Sequence, residues 1–390
     1  MRTAVELFTG LGGLALGLER AGFGHLALVE WDRQACETVR LNHPNWPLHE
    51  ADVREFDFDS LPKGIDLLAG GPPCQPFSVG GKHQGHADGR NMFPEVFRAQ
   101  RCLQPKFLLL ENVYGLVRTT FRPYFEYILL QLRFPFVVAE GGESWEEHKA
   151  RLLRVTGQSE RELSQSYDIT YKVINAADYG VPQIRRRVII VGVRRDLGVS
   201  FPWSAVPPTH SREALLYAKL VSGSYWDEHA LPSPPPRPGG NNLRQPTLER
   251  WRTIRDAIRD LPEPINGSEA VGFVNHVGIP GARVYQGHTG NPLDEPSKTV
   301  KAGDHGCPGG EHVLIKDNGE IRYLTVRESA RLQGFPDDIR FTCSRTEAMR
   351  QLGNAVPVPV AEAFARVIYG ILDSRISAPR ESRLEQVALL

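Results

Sequence analysis

A cysteine set among prolines, an acid that ends an apolar run and a trio of arginines that opens another are the residues of this 390-residue chain whose types and spacing could do chemistry. Cys74 lies in Gly70-Gly71-Pro72-Pro73-Cys74-Gln75-Pro76-Phe77-Ser78, directly after an apolar run. Three prolines and two glycines impose a rigid, irregular backbone there. No core packing needs a thiol at that place, so Cys74 is a candidate nucleophile rather than a small buried hydrophobe. Glu111 follows the apolar run 107–110, and an acid in that setting is suited to proton donation. In Gln183-Ile184-Arg185-Arg186-Arg187, alternation sends Arg185 and Arg187 to one side and Arg186 to the other. Such a pair could orient a carboxylate and read a carbonyl oxygen. Near the N-terminus, Gly10, Gly12 and Ala15 satisfy G-x-G-x-x-G/A, which lets backbone approach a nucleotide-like ligand at a helix N-terminus. Glu30 could accept from ribose hydroxyls and Asp52 from an adenine amino group. These residues favour an adenosine-containing cofactor without separating a dinucleotide from S-adenosylmethionine. Thiol, acid and arginines beside such a loop suit conjugate addition to an electron-poor ring.

The elements that must position these groups read as alternating strands and helices. Residues 4–8, 25–30, 65–69, 107–110 and 188–193 are apolar runs typical of buried strands, while 13–21 and 33–42 have helical spacing. That rhythm predicts an α/β fold with an open, mostly parallel sheet, whose functional residues sit at the carboxyl ends of strands. A polar stretch, 143–165, has helical spacing but few apolar anchors and reads as a surface insertion within 140–166. From 201 to 291 the rhythm is lost among Pro-rich segments, apart from an expected helix around 248–261. Helical order returns at 325–333 and 360–372.

Composition bounds the answer. With 41% hydrophobic and 24% charged residues the chain is ordinary globular material, and membrane, collagen-like and wholly disordered classes are excluded. The five cysteines are scattered and never form C-x-x-C, so neither a disulfide framework nor a zinc site is expected. No secretory signal is evident, which predicts a reducing, cytoplasmic setting that leaves a catalytic thiol free. The net charge of +0 argues at first against a polyanion partner. It is an average over unlike parts, however: 9 basic and 13 acidic residues in 1–100, against 14 and 9 in 151–250.

The blocks 8–13, Pro72-Pro73-Cys74-Gln75, Glu111-Asn112-Val113, Gln183 to Arg187, Arg331-Leu332-Gln333-Gly334-Phe335-Pro336 and Gln351-Leu352-Gly353-Asn354-Ala355-Val356-Pro357 come in the order seen in the DNA (cytosine-5)-methyltransferases of bacterial restriction–modification systems, and the chain resembles that family from its first strand to about residue 370. The resemblance implies a Rossmann-like catalytic domain over 1–200, a smaller loop-rich target-recognition domain over 201–340, and a return of 341–390 to the catalytic domain. It implies S-adenosyl-L-methionine as cofactor and S-adenosyl-L-homocysteine as product. The cofactor would be held by Phe8, Gly10, Leu11, Gly12, Gly13, Glu30, Trp31, Asp52, Val53, Pro73, Asn354 and Val356.

In the same resemblance Cys74 is the nucleophile on cytosine C6, Glu111 the acid at N3, Arg187 the contact to O2, and Arg185 the support of the Cys74 loop. Residues 77–93, with Gly80, Gly81, Gly85 and Gly89, resemble the loop that closes over a flipped base, and Ser78, Lys82 and Arg90 would meet DNA there. Thr299 matches a residue that touches the DNA backbone. Arg237, Arg244, Arg250, Arg252, Arg255 and Arg283 form the pool for phosphate and base contacts, about half of them expected in salt bridges instead. The implied partners are double-stranded DNA and a cognate restriction endonuclease, with the chain acting as a monomer. Two other readings share parts of the pattern. A tRNA cytosine-5 methyltransferase would use the same catalytic set, and an NAD-dependent oxidoreductase would use the glycine loop and Glu30 but would not need Cys74.

Overall fold

The computed structural model describes residues 1–73, 91–155, 165–233, 244–287, 289–302 and 312–373. Its first half alternates strands and helices, and the expected runs fall in β1, α1, β2, α2, β4, β5 and β7: β1 (Arg2–Leu7), α1 (Gly13–Arg20), β2 (Phe23–Glu30), α2 (Arg33–Asn42), β3 (Leu48–Glu50), β4 (Leu67–Gly70), α3 (Phe93–Leu103), β5 (Phe107–Val113), α4 (Arg122–Arg133), α5 (Trp145–Val155), β6 (Tyr167–Asn175) and β7 (Arg186–Arg194). Seven strands form one sheet in the order β3-β2-β1-β4-β5-β7-β6. The pairs among β1 to β5 are parallel, and β7 runs antiparallel to both β5 and β6. The sheet buries apolar side chains on both faces, which is why its central strands read as continuous apolar runs. Val5, Leu7, Leu68, Leu108, Leu110, Val188 and Ile190 face α3 and α4. Ala4, Ala69, Phe107, Leu109, Ile189 and Val191 face the other way, toward α1 and the C-terminal helix.

Beyond the sheet come β8 (His210–Ser211), α6 (Arg212–Leu220), α7 (Ser224–Glu228), β9 (Glu249–Arg250), α8 (Ile254–Ile258), β10 (Ile265–Asn266), β11 (Glu269–Ala270), β12 (Phe273–Gly278), β13 (Asn291–Pro292), β14 (Val313–Ile315), β15 (Ile321–Tyr323), α9 (Val326–Leu332), α10 (Arg345–Asn354) and α11 (Val358–Leu372). The helix expected over 248–261 is instead a two-residue strand followed by a five-residue helix. Thr253 stops the helix from starting earlier, because it takes the N-cap position in a capping box with Asp256. Residues 143–165 include the helix that their spacing predicts. Only α5 is helical among the described part, and it is anchored by side chains that a search for aliphatic anchors passes over: His148 is fully buried between Tyr127 Oη (3.0 Å) and the Val137 carbonyl (3.0 Å), beside buried Leu152.

A third apolar cluster joins the parts. Leu11 and Leu16 of the first turn pack with Ile254, Val300, Leu332, Phe335, Leu352, Ala355 and Val358. α11 closes against α1 at glycine: a Cβ on Gly17 would lie 2.4 Å from Ala361 Cβ, and one on Gly13 would lie 2.3 Å from the Val356 carbonyl oxygen. The run Arg345–Leu372 is apolar enough by composition to cross a membrane, but it is two helices parted at Ala355 to Pro357 and largely buried, α11 against the sheet and α10 in the third cluster.

Candidate active site

The first wall of the site is the turn that follows β1. The strand ends at Leu7, one residue earlier than its apolar run, because Phe8 turns to φ 60, left-handed backbone that a non-glycine residue adopts at a cost of about 1–3 kcal/mol. Gly10 (φ 55) and Gly12 (φ 84) continue the left-handed path into α1, and a Cβ on Gly10 would meet nothing within 4 Å, so open space lies above the loop. Glu30, buried at the end of β2, holds the turn: its carboxylate accepts from the backbone N–H groups of Gly10 (2.7 Å), Trp31 (3.0 Å) and Asp32 (2.8 Å). Burial pushes the Glu30 carboxyl up, and those donors oppose the shift. A carboxylate has about four lone-pair sites, so Glu30 keeps capacity for a ligand hydroxyl after three such bonds.

Beside it the Trp31 ring is 72% exposed, an apolar plate standing free. The Ala51 N–H donates to the Glu30 carbonyl (2.9 Å), which brings Asp52 to the same rim; there it is bound by the Arg54 guanidinium, which holds its carboxyl below the usual range. Val53 is buried, its carbonyl accepting from Arg98. On the opposite side Val356 presses on Gly13, and Asn354, the last residue of α10, is exposed. α10 is tied across the rim by Arg350, which bonds Asp32 (2.6 Å) and Glu347 (2.6 Å).

One group on this wall was missed in the sequence. Glu6 sits inside β1, fully buried, and its Oε2 has no hydrogen-bond partner among the described residues. Burial, with Glu30 nearby, pushes its carboxyl well above the ordinary range. The signal was a charged residue at an inward position of an apolar strand. Open space over Gly10, a free aromatic plate, a carboxylate with spare acceptors and an orphaned buried carboxyl oxygen fit a cationic, adenosine-bearing cofactor such as S-adenosylmethionine.

The second wall depends on the reversed strand. In an all-parallel sheet the arginines at the start of β7 would lie at the wrong end. Because β7 is antiparallel to β5, its first residues pair with the last of β5, Val113 opposite Arg187. Arg187 Nε consequently lies 2.7 Å from Glu111 Oε1, both side chains 12% exposed. The setting expected for Glu111 was an apolar edge; the observed one includes a guanidinium. Gly71 approaches the same carboxylate, with room for a Cβ 3.4 Å from Glu111 Oε2, and Asn112 Nδ2 donates to the Pro72 carbonyl (3.1 Å). Asn112 therefore anchors the start of the Cys74 loop beside Glu111, a role its place in the Glu111-Asn112-Val113 block did not suggest. Pro73 is the last residue described before the loop. Cys74, Ser78, Lys82 and Arg90 lie outside the described residues, as does Arg237.

Sequence comparison matches the chain to the family described as C-5 cytosine-specific DNA methylase over residues 2–134 and 142–370. The chain belongs to that family. It is accordingly a DNA cytosine-5 methyltransferase. It is 35% identical to the type II methyltransferase M.NgoMIV of Neisseria gonorrhoeae, over 94% of this chain and 96% of that protein. It is 34% identical to M.Eco47II of Escherichia coli, over 95% of this chain and 79% of that one. Among solved structures, a putative DNA modification methyltransferase encoded in an E. coli prophage superposes with TM-score 0.60 at 23% identity, covering 96% of this chain and all of that one. The S. pombe Dnmt2 methyltransferase does so at 0.56 and 18%, covering 96% of this chain and 99% of that one. Both share the α/β fold with its mostly parallel sheet.

Two residues of the expected site also have partners within the methylase. Arg185, expected to support the Cys74 loop, is buried, and its guanidinium donates to the carbonyls of Val300 (3.0 Å), Gly353 (2.7 Å) and Ala355 (3.0 Å). Desolvation, with Arg187 close by, lowers its pKa, and its Nε has no partner among the described residues. Thr299, expected at the DNA backbone, donates its hydroxyl to the Ile184 carbonyl (2.8 Å) and so locks its segment to the start of the arginine block. In the arginine pool, Arg250 pairs with Asp256 and Glu228, and Arg255 with Asp294 and Asp317. Arg244, Arg252 and Arg283 are exposed, as is Arg186, which was not in the pool.

Proposed function

We propose that this methylase transfers a methyl group from S-adenosylmethionine to C5 of cytosine within a short double-stranded DNA site, through base flipping and a covalent bond between Cys74 Sγ and ring C6. The observation that carries the reading is the Glu111–Arg187 pair at 2.7 Å, set at the carboxyl edge of the sheet beside Gly71, from which the chain leads through Pro72 and Pro73 to Cys74. A thiol, an acid and a fixed guanidinium around one opening suit a pyrimidine ring presented edge-on.

Cytosine C5 is a weak nucleophile in the aromatic ring. Cys74 thiolate adds to C6 while Glu111 gives a proton to N3, and Arg187 donates to O2, so that C5 gains enamine character. The cofactor, when bound, supplies an electrophilic methyl group. C5, once methylated, then loses its proton to solvent, the Cys74 thiolate is expelled from C6, and N3 returns its proton to Glu111, which restores the ring. Phe8, Gly10, Leu11, Gly12, Gly13, Glu30, Trp31, Asp52, Val53, Pro73, Asn354 and Val356 line the proposed cofactor side, with Trp31 against the adenine. A base inside a stacked duplex cannot reach these groups, so it is turned out at a cost of a few kcal/mol. Residues 201–340 form the proposed recognition part, with Arg244 and Thr299 near DNA and Ser78, Lys82, Arg90 and Arg237 contributing from segments not described. The proposed setting is the bacterial cytoplasm, the enzyme acting as a monomer beside an endonuclease of the same specificity.

DNA containing 5-fluorocytosine tests the chemistry, because fluorine blocks the final elimination and traps the adduct. Wild type should form a covalent complex and Cys74→Ala none; methylation by Cys74→Ala would refute the nucleophile. Bisulfite sequencing of a plasmid from expressing cells maps the site.

A further inference from the structure

Two buried glutamines connect the arginine block to both sides of the site. Gln183 is fully buried, and its amide uses donor and acceptor alike: Oε1 accepts from the Val300 N–H (3.0 Å), while Nε2 donates to the Leu332 carbonyl (2.9 Å) and to Gln333 Oε1 (3.2 Å). Gln333, also fully buried, donates from Nε2 to the Leu352 carbonyl (2.5 Å). The result is one directed chain of amides from Val300, through Gln183 and Gln333, to Leu352. Val300 belongs to the segment that carries Thr299, and Leu352 lies two residues before Asn354. Backbone bonds tighten the first end: Ser297 N–H donates to the Pro182 carbonyl (3.0 Å) and Ile184 N–H to the Ser297 carbonyl (2.8 Å).

An amide is polar at both ends, so a chain of them has only one arrangement in which every buried donor meets an acceptor. Moving either terminal segment by an ångström strands a donor in a dry interior. We propose that Gln183 and Gln333 are positioning residues: their amide relay registers segment 297–300, on the DNA side, against segment 352–356, on the cofactor side, and makes binding of DNA and cofactor interdependent. Arg185 runs parallel to the relay, between Val300 and Gly353. The inference rests on the function proposed above, and by linkage any effect of DNA on cofactor affinity must be returned by cofactor on DNA affinity.

The test uses the full chain and S-adenosylhomocysteine, which carries no methyl group to transfer, titrated calorimetrically with and without a saturating duplex bearing the mapped site. In wild type the duplex should change the affinity for S-adenosylhomocysteine at least about fivefold. In Gln183→Met and in Gln333→Met, which keep volume but remove the relay, that ratio should fall to about one, with thermal unfolding confirming a folded chain. A lowered melting temperature with the wild-type ratio intact means a structural role only and overturns the proposal. Wild type that binds both ligands with a ratio of one overturns it while the proposed function stands. Wild type that neither binds S-adenosylhomocysteine nor methylates DNA overturns both. If the variants fail to fold, hydrogen exchange at the Val300 amide of wild type decides. S-adenosylhomocysteine alone should slow it by about tenfold or more, and unchanged exchange refutes the relay.

Discussion

Replacing Gly13 by alanine puts a methyl group where the backbone of the C-terminal segment already lies. The added Cβ would stand 2.3 Å from the Val356 carbonyl oxygen and 3.0 Å from the Phe335 ring. Ordinary contact begins near 3.4 Å, so a carbonyl that cannot rotate away must retreat by about 1 Å. Overpacking of this kind costs about 1–3 kcal/mol. Val356 belongs to the proposed cofactor wall; if the strain is released there, it appears as a rise of about 5- to 150-fold in the dissociation constant for S-adenosylhomocysteine. Gly17→Ala provides the control one turn further along α1. Its Cβ would stand 2.4 Å from Ala361 Cβ and 2.7 Å from the Glu362 nitrogen, a comparable clash away from the rim, partly offset by the roughly 1 kcal/mol helix preference of alanine. Both variants should melt a few degrees below wild type, and calorimetric titration should find weak cofactor binding in Gly13→Ala alone. Equal melting with wild-type affinity in Gly13→Ala would mean that the Val356 contact takes no part in the cofactor site.

Trp31→Ala should raise the cofactor dissociation constant by about fivefold or more, from loss of about 1–3 kcal/mol of stacking, with stability within about 0.5 kcal/mol because the ring is 72% exposed; unchanged affinity removes Trp31 from the site. Glu111→Gln should cut methyl transfer by about 10²–10⁴-fold and destabilise the fold by leaving the Arg187 guanidinium without its partner. Glu111→Gln combined with Arg187→Met should recover stability but not activity, which denaturant melts and transfer assays separate. His25 packs edge-on to Trp46, and burial lowers its pKa to about 4. The unfolded chain therefore binds a proton that the native one refuses between pH 6.5 and 4, and stability falls across that window as pH drops, by up to about 3 kcal/mol. His25→Phe should flatten that part of the stability profile, and an unchanged profile would assign acid sensitivity to other groups.

β1, β2, β4 and β5 were legible because strands buried on both faces carry few polar residues, Glu6 and His25 among them. β6 was not, since Asp168, Thr170 and Lys172 interrupt its apolar pattern at the sheet edge. α10 hid for a similar reason: its buried face includes Glu347 and Gln351, held by hydrogen bonds rather than by apolar contact. Motif order named Glu111 and Arg187 separately, and only the reversal of β7 explains how residues at the start of a strand reach the carboxyl end of its neighbour. What Arg185 holds could not be read, because its carbonyl partners lie 115 to 170 residues along the chain.

The contact of Val356 on Gly13 also has a meaning in time. Gly13 must wait for the synthesis of Val356, 343 residues later, before the proposed cofactor wall is whole. At synthesis rates of about 5–20 residues per second, that interval is on the order of 20 to 70 seconds. A nascent or prematurely terminated chain thus exposes a finished glycine loop that has no second wall, and such fragments would not be expected to sequester cofactor from complete enzyme.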